Sequence, residues 1–463
     1  MRAHTGIGER NGFAALKRDG IASIAGIWLV IFVCTVSVGN GATWWVATNG
    51  VDTDPGTSNQ PFASPQKAIS VMAAGDGIYV GGGTYLCATE VKAGKSGFAT
   101  NFCKLWAYPG ERPVFDFTNA AAGLRGIYMG KDYWHVRGFE VANSKDNGIL
   151  ISGGFNLIEG CVVHDSNDDG IYITSNSGVL GHDNTIVNCD SYRNYQAAAH
   201  GDNGDGFAAK TGCGAGNVFR GCRAWNNSDD GWDFYDNKTN SVTVDNCWSF
   251  ANGLNLWADN AFAGNGNGFK LGGASTYAKH LVKNCVAFDN VHDGFDQNHT
   301  KGGQTIYNCT GLRNAVNFQF PELPTNGVDV LKNNLAYSGS IAMNATAQQT
   351  SNSWQGFNVT TSDFVSVDGA LALAPRNPDY SLPTNAFVRL ASGSGVIDKG
   401  VNVGLPYSGA APDLGAYEYV PSSTNNIRTI FFDHSPGSLR FTNGAFAMRI
   451  MGLTGHGPIV LSG

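Results

Sequence analysis

One short cassette recurs six times along this chain, and a repeat of fixed period limits the fold more than any bulk property does. Gly or Asn followed by Cys stands at Gly160-Cys161, Asn188-Cys189, Gly221-Cys222, Asn246-Cys247, Asn284-Cys285 and Asn308-Cys309. The intervals between successive Cys are 28, 33, 25, 38 and 24. The fifth residue after each is Ser166, Asn194, Asn227, Asn252, Asn290 and Asn314, the pattern of an inward amide ladder at a coil corner. A second landmark is a turn glycine behind Asp or Asn: Gly148, Gly170, Gly206, Gly231, Gly268 and Gly294. From Cys to this glycine the interval is 9 in three coils and 17 and 21 in the other two. Coils of about two dozen residues therefore carry two inserts at one corner, roughly 195–204 and 254–266.

Short strands, many glycines (62) and few prolines (15) in coils of this length predict an all-β fold, a right-handed parallel β-helix. Propeller blades are longer, and helical repeats would show a 3.6-residue period. The repeated Cys read as small buried hydrophobes. Both inserts fall just before the Phe207 and Phe269 triplets, where they are placed to wall a groove.

The ends of the chain read differently. Arg2, Arg10, Lys17 and Arg18 precede an uncharged run from Ile21 to Val38, then small residues up to Ala42. That is the layout of a secretory signal peptide over 1–42, with an uncleaved N-terminal anchor as the alternative. Export implies a secreted or extracellular protein, with the periplasm or cell surface as variants. It also permits a disulfide between Cys87 and Cys103. Residues 43–85 predict a strand at 44–47, a capping helix over 64–73 opened by Pro65, and a strand at 77–80. The β-helix is expected to span 43–420. Within it, Asp398, Asp413 and Glu418 sit in a closing segment and are assigned no chemistry. A linker follows at 421–426, then a strand-like extension at 427–463 that reads as an incomplete module.

The densest chemistry lies between Gly201 and Gly273. Three triplets follow turn glycines: Phe207-Ala208-Ala209, Trp232-Asp233-Phe234 and Phe269-Lys270-Leu271. Strand alternation turns the first and third residues inward and Ala208, Asp233 and Lys270 outward, in one column. Asp296 continues that column. Stacked strands lie about 4.8 Å apart, so Asp205 and Asp230 become neighbours, with Asp229 and Asp233 beside the same turn. Four such carboxylates repel unless a cation joins them. Calcium suits an all-oxygen set better than zinc, which favours His or Cys. Lys270 stands one coil beyond Asp233. A cation committed to Asp233 would favour its neutral form, the form a proton-abstracting base needs.

The segments GDNGDGFAAK, SDDGWDFYDN, GNGNGFKLGG and HDGFDQN resemble the family-nine polysaccharide lyases, the pectate lyases and exopolygalacturonate lyases of that group. The likeness is densest over 201–298, and the repeat extends it across most of 43–420. It implies that Asp205, Asp229, Asp230 and Asp233 hold a catalytic calcium and that Lys270 is the Brønsted base. The implied reaction is β-elimination on an acidic polysaccharide, polygalacturonate or pectin, with rhamnogalacturonan as the alternative substrate. A polygalacturonase-type hydrolase using Asp229, Asp230 and Asp296, or a non-catalytic glycan-binding β-helix, are the competing readings. A net charge of −7 argues against nucleic acid as a partner. A monomer is expected, with no stable membrane partner beyond the alternative N-terminal anchor.

Overall fold

Every coil makes two abrupt corners, and the residues at those corners explain the repeat. The residue before each Cys takes a left-handed backbone conformation: Gly160, Asn188, Gly221, Asn246, Asn284 and Asn308 have φ between 49° and 64°. Gly has no Cβ to clash there, and Asn tolerates it best among the others, which is why only these two types occur. The second corner lies just before the amide ladder, where Asp165, Arg193, Asn226, Ala251, Asp289 and Arg313 are left-handed too. Between the corners run three short strands per coil.

The computed structural model describes residues 41–273 and 276–421. The expected leader up to residue 40 and the extension over 427–463 lie outside the described residues. Stacking of coils builds three parallel sheets, of twelve, ten and ten strands. One coil shows the order: Asn217–Arg220 in the twelve-stranded sheet, Arg223–Trp225 in the second, Trp232–Asp233 in the third, then Val242–Asp245 in the first again. This is the right-handed parallel β-helix the repeat predicts.

Register in the third sheet follows the alignment on the turn glycines. Ile149, Ile171, Phe207, Trp232, Phe269, Phe295 and Phe318 pair in sequence and point into the core. The aromatic members stack at centroid separations of 4.7, 4.7, 5.0 and 4.9 Å. Each such buried ring contributes about 2–3 kcal/mol by burial alone, so the column fixes the register firmly.

The amide ladder forms as expected. Asn194, Asn227, Asn252 and Asn290 each donate from Nδ2 to the Oδ1 of the Asn one coil on, at 2.9–3.0 Å. The turn glycines serve this ladder rather than an unusual φ. A Cβ on Gly231 would sit 1.9 Å from Ser249 Oγ and 3.0 Å from Asn252 Nδ2. All six repeated Cys are buried and free.

The cap is a helix at Pro65–Val71, with Ser64 Oγ accepting from Lys67 N at 3.2 Å. It stops earlier than expected because Met72 is already extended. The first strand is Thr43–Val46, and the strand at Gly77–Val80 matches its expected bounds. Cys87 and Cys103 are not joined, a correction to the sequence reading. Cys103 begins a strand of the first sheet and its Sγ accepts from Gly75 N; the Cys87 thiol follows a strand of the second sheet and donates to Tyr85 O.

After the last coils the chain runs back over the second sheet. Arg223 and Arg376 both pair with buried Asp190 at 2.7 Å, and Arg223 also donates to Ala372 O and Ala374 O. Asp398 and Asp413 accept backbone N–H groups, as does Glu418, in keeping with a closing structural role. No helix among the described residues is long and apolar enough to cross a membrane.

Candidate active site

A ladder of carboxylates and amides runs up the start of the third sheet. Asp169 Oδ1 accepts from Asp205 N at 3.2 Å, Asp205 Oδ1 from Asp230 N at 2.9 Å, and Asp230 Oδ1 from Asn267 N at 2.8 Å. Asn267 Oδ1 continues to Asp293 N at 3.2 Å. Each acid thus commits one oxygen to the scaffold and keeps the other, Oδ2, for its surroundings.

Asp205, Asp229 and Asp230 bring ligand oxygens within 4.8 Å of one another, and all three are buried. Asp229 is held from both sides by the inserts: Oδ2 accepts from Asn203 N at 3.2 Å and Oδ1 from Asn265 N at 2.7 Å. The inserts clasp each other as well, through Tyr195 OH and His200 Nδ1 on Asp259 Oδ2 and through stacking of Tyr195 on Trp257. Asp233 stands apart from the trio. Its Oδ1 accepts from Tyr235 N at 2.8 Å, and its Oδ2 lies between two lysines. The expected fourfold convergence is therefore three acids plus one flanking acid.

Lys270 is in register with Asp233 on one side and Asp296 on the other, as the alignment predicts. Its Nζ lies 3.0 Å from Asp230 Oδ2 and 3.6 Å from Asp233 Oδ2. The outward column is not open surface: Ala208 and Asp233 are buried and the Lys270 side chain is 12% exposed. The sequence reading missed Lys210. Its ammonium folds back over the methyl-sized Ala208 to reach Asp205 Oδ2 at 2.7 Å, Asp169 Oδ2 at 3.3 Å and Asp233 Oδ2 at 3.4 Å. Lys210 shares the outward parity of Ala208, and the small residue between it and the acids was the available signal.

Burial and mutual repulsion push most of these acids up. Asp229 rises to about 7, by burial and then by Asp205. Asp230 and Asp233 are raised by burial too, against the pull of Lys270. Asp205 is the exception: burial is outweighed by Lys210 and Lys270, and its carboxyl stays low. Burial alone would drive Lys270 toward the neutral amine, but Asp230 and Asp233 reverse this and hold it well above an ordinary lysine.

The donor set suits a hard divalent cation. Asp230 Oδ2 is buried and faces Lys270 without the alignment of a hydrogen bond, so it lacks a true donor. With Asp205 and Asp229 it offers oxygen ligands alone, and neither His nor Cys among the described residues joins the group.

The Pel9A-like right-handed β-helix region matches residues 44–358. The chain belongs to this family. Relatives of the family span most of it: pectate lyase L of Dickeya chrysanthemi is 39% identical over 400 residues, 83% of this chain and 92% of the relative. The crystal structure of pectate lyase Pel9A superposes with a TM-score of 0.77 at 37% identity, covering 82% of this chain and 97% of that one. A rhamnogalacturonan lyase structure follows at 0.67 and 31% identity, covering 76% and 97%. Membership of the Pel9A-like family makes the chain a pectate lyase-like polysaccharide lyase.

Proposed function

We propose that this enzyme cleaves polygalacturonate by calcium-assisted β-elimination, with Lys270 as the base. The observation that carries the reading is one juxtaposition. A lysine amine lies 3.0 Å from a buried acid that, with two neighbouring acids, offers three converging oxygen ligands. Asp205, Asp229 and Asp230 would hold the cation, and Asp233 would complete the set from its flanking position. Bound there, calcium would draw charge from a uronate carboxylate and so acidify the C-5 hydrogen.

The chain's own groups do the rest. With their charge committed to a bound cation, Asp230 and Asp233 would hold the Lys270 proton less tightly. The burial that favours the neutral amine would then prevail. The Lys270 lone pair takes the C-5 proton and the C-4–O bond breaks, leaving a 4,5 double bond in the product. The inserts fix Asp229 and wall the site, so the acids need not reorganise during turnover.

The test is incubation with polygalacturonate, with calcium and with a chelator. A rise in ultraviolet absorbance from unsaturated product, lost on chelation, is expected. New reducing ends without that absorbance would indicate a hydrolase, and binding without shortening would indicate a glycan-binding module. Either result removes the lyase mechanism. The likeness to a rhamnogalacturonan lyase supports that polymer as a second substrate to assay in parallel. A polymer substrate and the expected leader also support export, which N-terminal sequencing of the mature protein checks; an intact residue 1 would count against cleavage.

A further inference from the structure

β-Elimination needs a proton at the departing oxygen as well as a base at C-5, and none of the groups above supplies it. The outward column offers a candidate beyond Lys270. Lys270 does not stand over its own strand: its Nζ leans toward the preceding coil, onto Asp230 and Asp233. Asp296 projects from the following coil, in register with Lys270. The ammonium and this carboxyl are thus separated by one to two strand spacings, about 5–10 Å, which is room for a sugar ring standing edge-on.

Asp296 is also under-committed for an acid so placed. One oxygen accepts from Asn298 N at 2.8 Å, and the other has no protein donor among the described residues. No Lys or Arg among the described residues pairs with it, although Lys270 is on the adjacent strand. The charged groups around it are Lys270 on the preceding strand and Asp293 and His299 on its own strand and loop. The following strand offers only the neutral Gln319.

We propose that Asp296 is the general acid that protonates the departing glycosidic oxygen. The inference rests on the lyase reading above. In galacturonate the C-5 hydrogen and the C-4 oxygen lie on opposite faces of the ring, so base and acid must flank it, as Lys270 and Asp296 would for a ring seated between them. The Lys270 lone pair forms the new N–H bond and the C-5–H electrons become the C-4–C-5 π bond. The C-4–O pair leaves on oxygen and takes the Asp296 proton. The lysine ends as ammonium and the aspartate as carboxylate, and exchange with solvent resets both without any further reagent. Burial holds the Asp296 carboxyl up at about 7, the Asn298 N–H opposing, so it carries a proton near neutrality. A polyanionic substrate raises it further.

The test compares two leaving groups in Asp296→Asn, which keeps the acceptor for Asn298 N. On polygalacturonate, kcat should fall about 10²–10⁴-fold with KM little changed. On an oligogalacturonide whose C-4 substituent is 4-nitrophenoxide, which departs without a proton, the variant should come within about tenfold of the unmodified enzyme. Asp296→Ser should repeat the pattern, and a thermal melt of both variants checks the fold. Equal loss on both substrates, or undiminished turnover of the polymer, overturns the proposal while leaving the lyase reading intact. Absence of unsaturated product from the unmodified enzyme overturns both.

Discussion

Two corners of this β-helix carry the same Asp-Asp-Gly turn. They are Asp168-Asp169-Gly170 and Asp229-Asp230-Gly231, at equivalent places in their coils. In both, the second Asp passes one oxygen to the backbone of the next coil. Their surroundings differ. At the first corner Lys210 arrives from the end of a neighbouring strand, 3.3 Å from Asp169 and 5.7 Å from the centre of the Tyr172 ring. Burial, with Asp146 nearby, raises Asp168 against the pull of Lys210. At the second corner, Asp233 replaces Tyr172, Gly272 stands where the next coil would carry a counterpart of Lys210, and two inserts grip Asp229. There Lys270, one coil on, lies 3.0 Å from Asp230, while Lys210 reaches only Asp233, at 3.4 Å. The turn pair is thus common scaffold. What stands two residues past the glycine, and which lysine the next coil supplies, decides how the two acids are compensated.

The sharpest way to break this contrast is Lys270→Ala. Turnover should fall by at least about 10²–10⁴-fold, the scale of a lost general base, while calcium binding by titration calorimetry persists. Activity near that of the unmodified enzyme would remove Lys270 from the mechanism. Next comes Lys210→Met, which leaves Asp169 and Asp205 buried without their ammonium. Stability should drop by about 3–5 kcal/mol in denaturant unfolding, and a drop below about 1 kcal/mol would show that the first corner is not a closed pair.

Calcium then separates the corners directly. At about 100 times its Kd it should add about 2.7 kcal/mol to the unmodified protein, read as a rise in Tm. That increment should vanish in Asp230→Asn and survive in Asp168→Asn; the reverse pattern would relocate the metal to the first corner. The smallest effect is the pH response of Asp168→Asn itself. Burial and Asp146 raise the folded Asp168 carboxyl to about 7, above its unfolded value, against the pull of Lys210. A raised carboxyl contributes stability below the unfolded pKa and loses it as pH climbs through the folded one. Asp168→Asn should therefore be the more stable protein by a few degrees at pH 8, with the gap closing toward pH 4. No gap at pH 8 would mean the carboxyl is not strained there.

The contrast also shows where sequence reasoning ends. Spacing from Cys to glycine was enough to place Asp233, Lys270 and Asp296 in one outward row, because period and alternation are local properties. The helix at Pro65–Val71 was equally plain from Ser64 and Pro65. Lys210 was not, because its role depends on a long side chain doubling back over Ala208, and no periodicity encodes a rotamer. The grip on Asp229 by Asn203 and Asn265 was hidden for a different reason: backbone N–H groups leave no trace in residue identity. The unpaired Cys87 and Cys103 teach a similar limit, since compartment permits a bridge but geometry decides it.

Asp205 and Asp230 each serve two masters, one oxygen stitching coil to coil and the other turned toward chemistry. A descendant that lost its activity would still be selected to keep them, since removing either unpicks a seam of the solenoid. Lys270 is under no such obligation. In a survey of related chains, the loss of that lysine, not the persistence of those acids, is the mark by which a retired enzyme would be known.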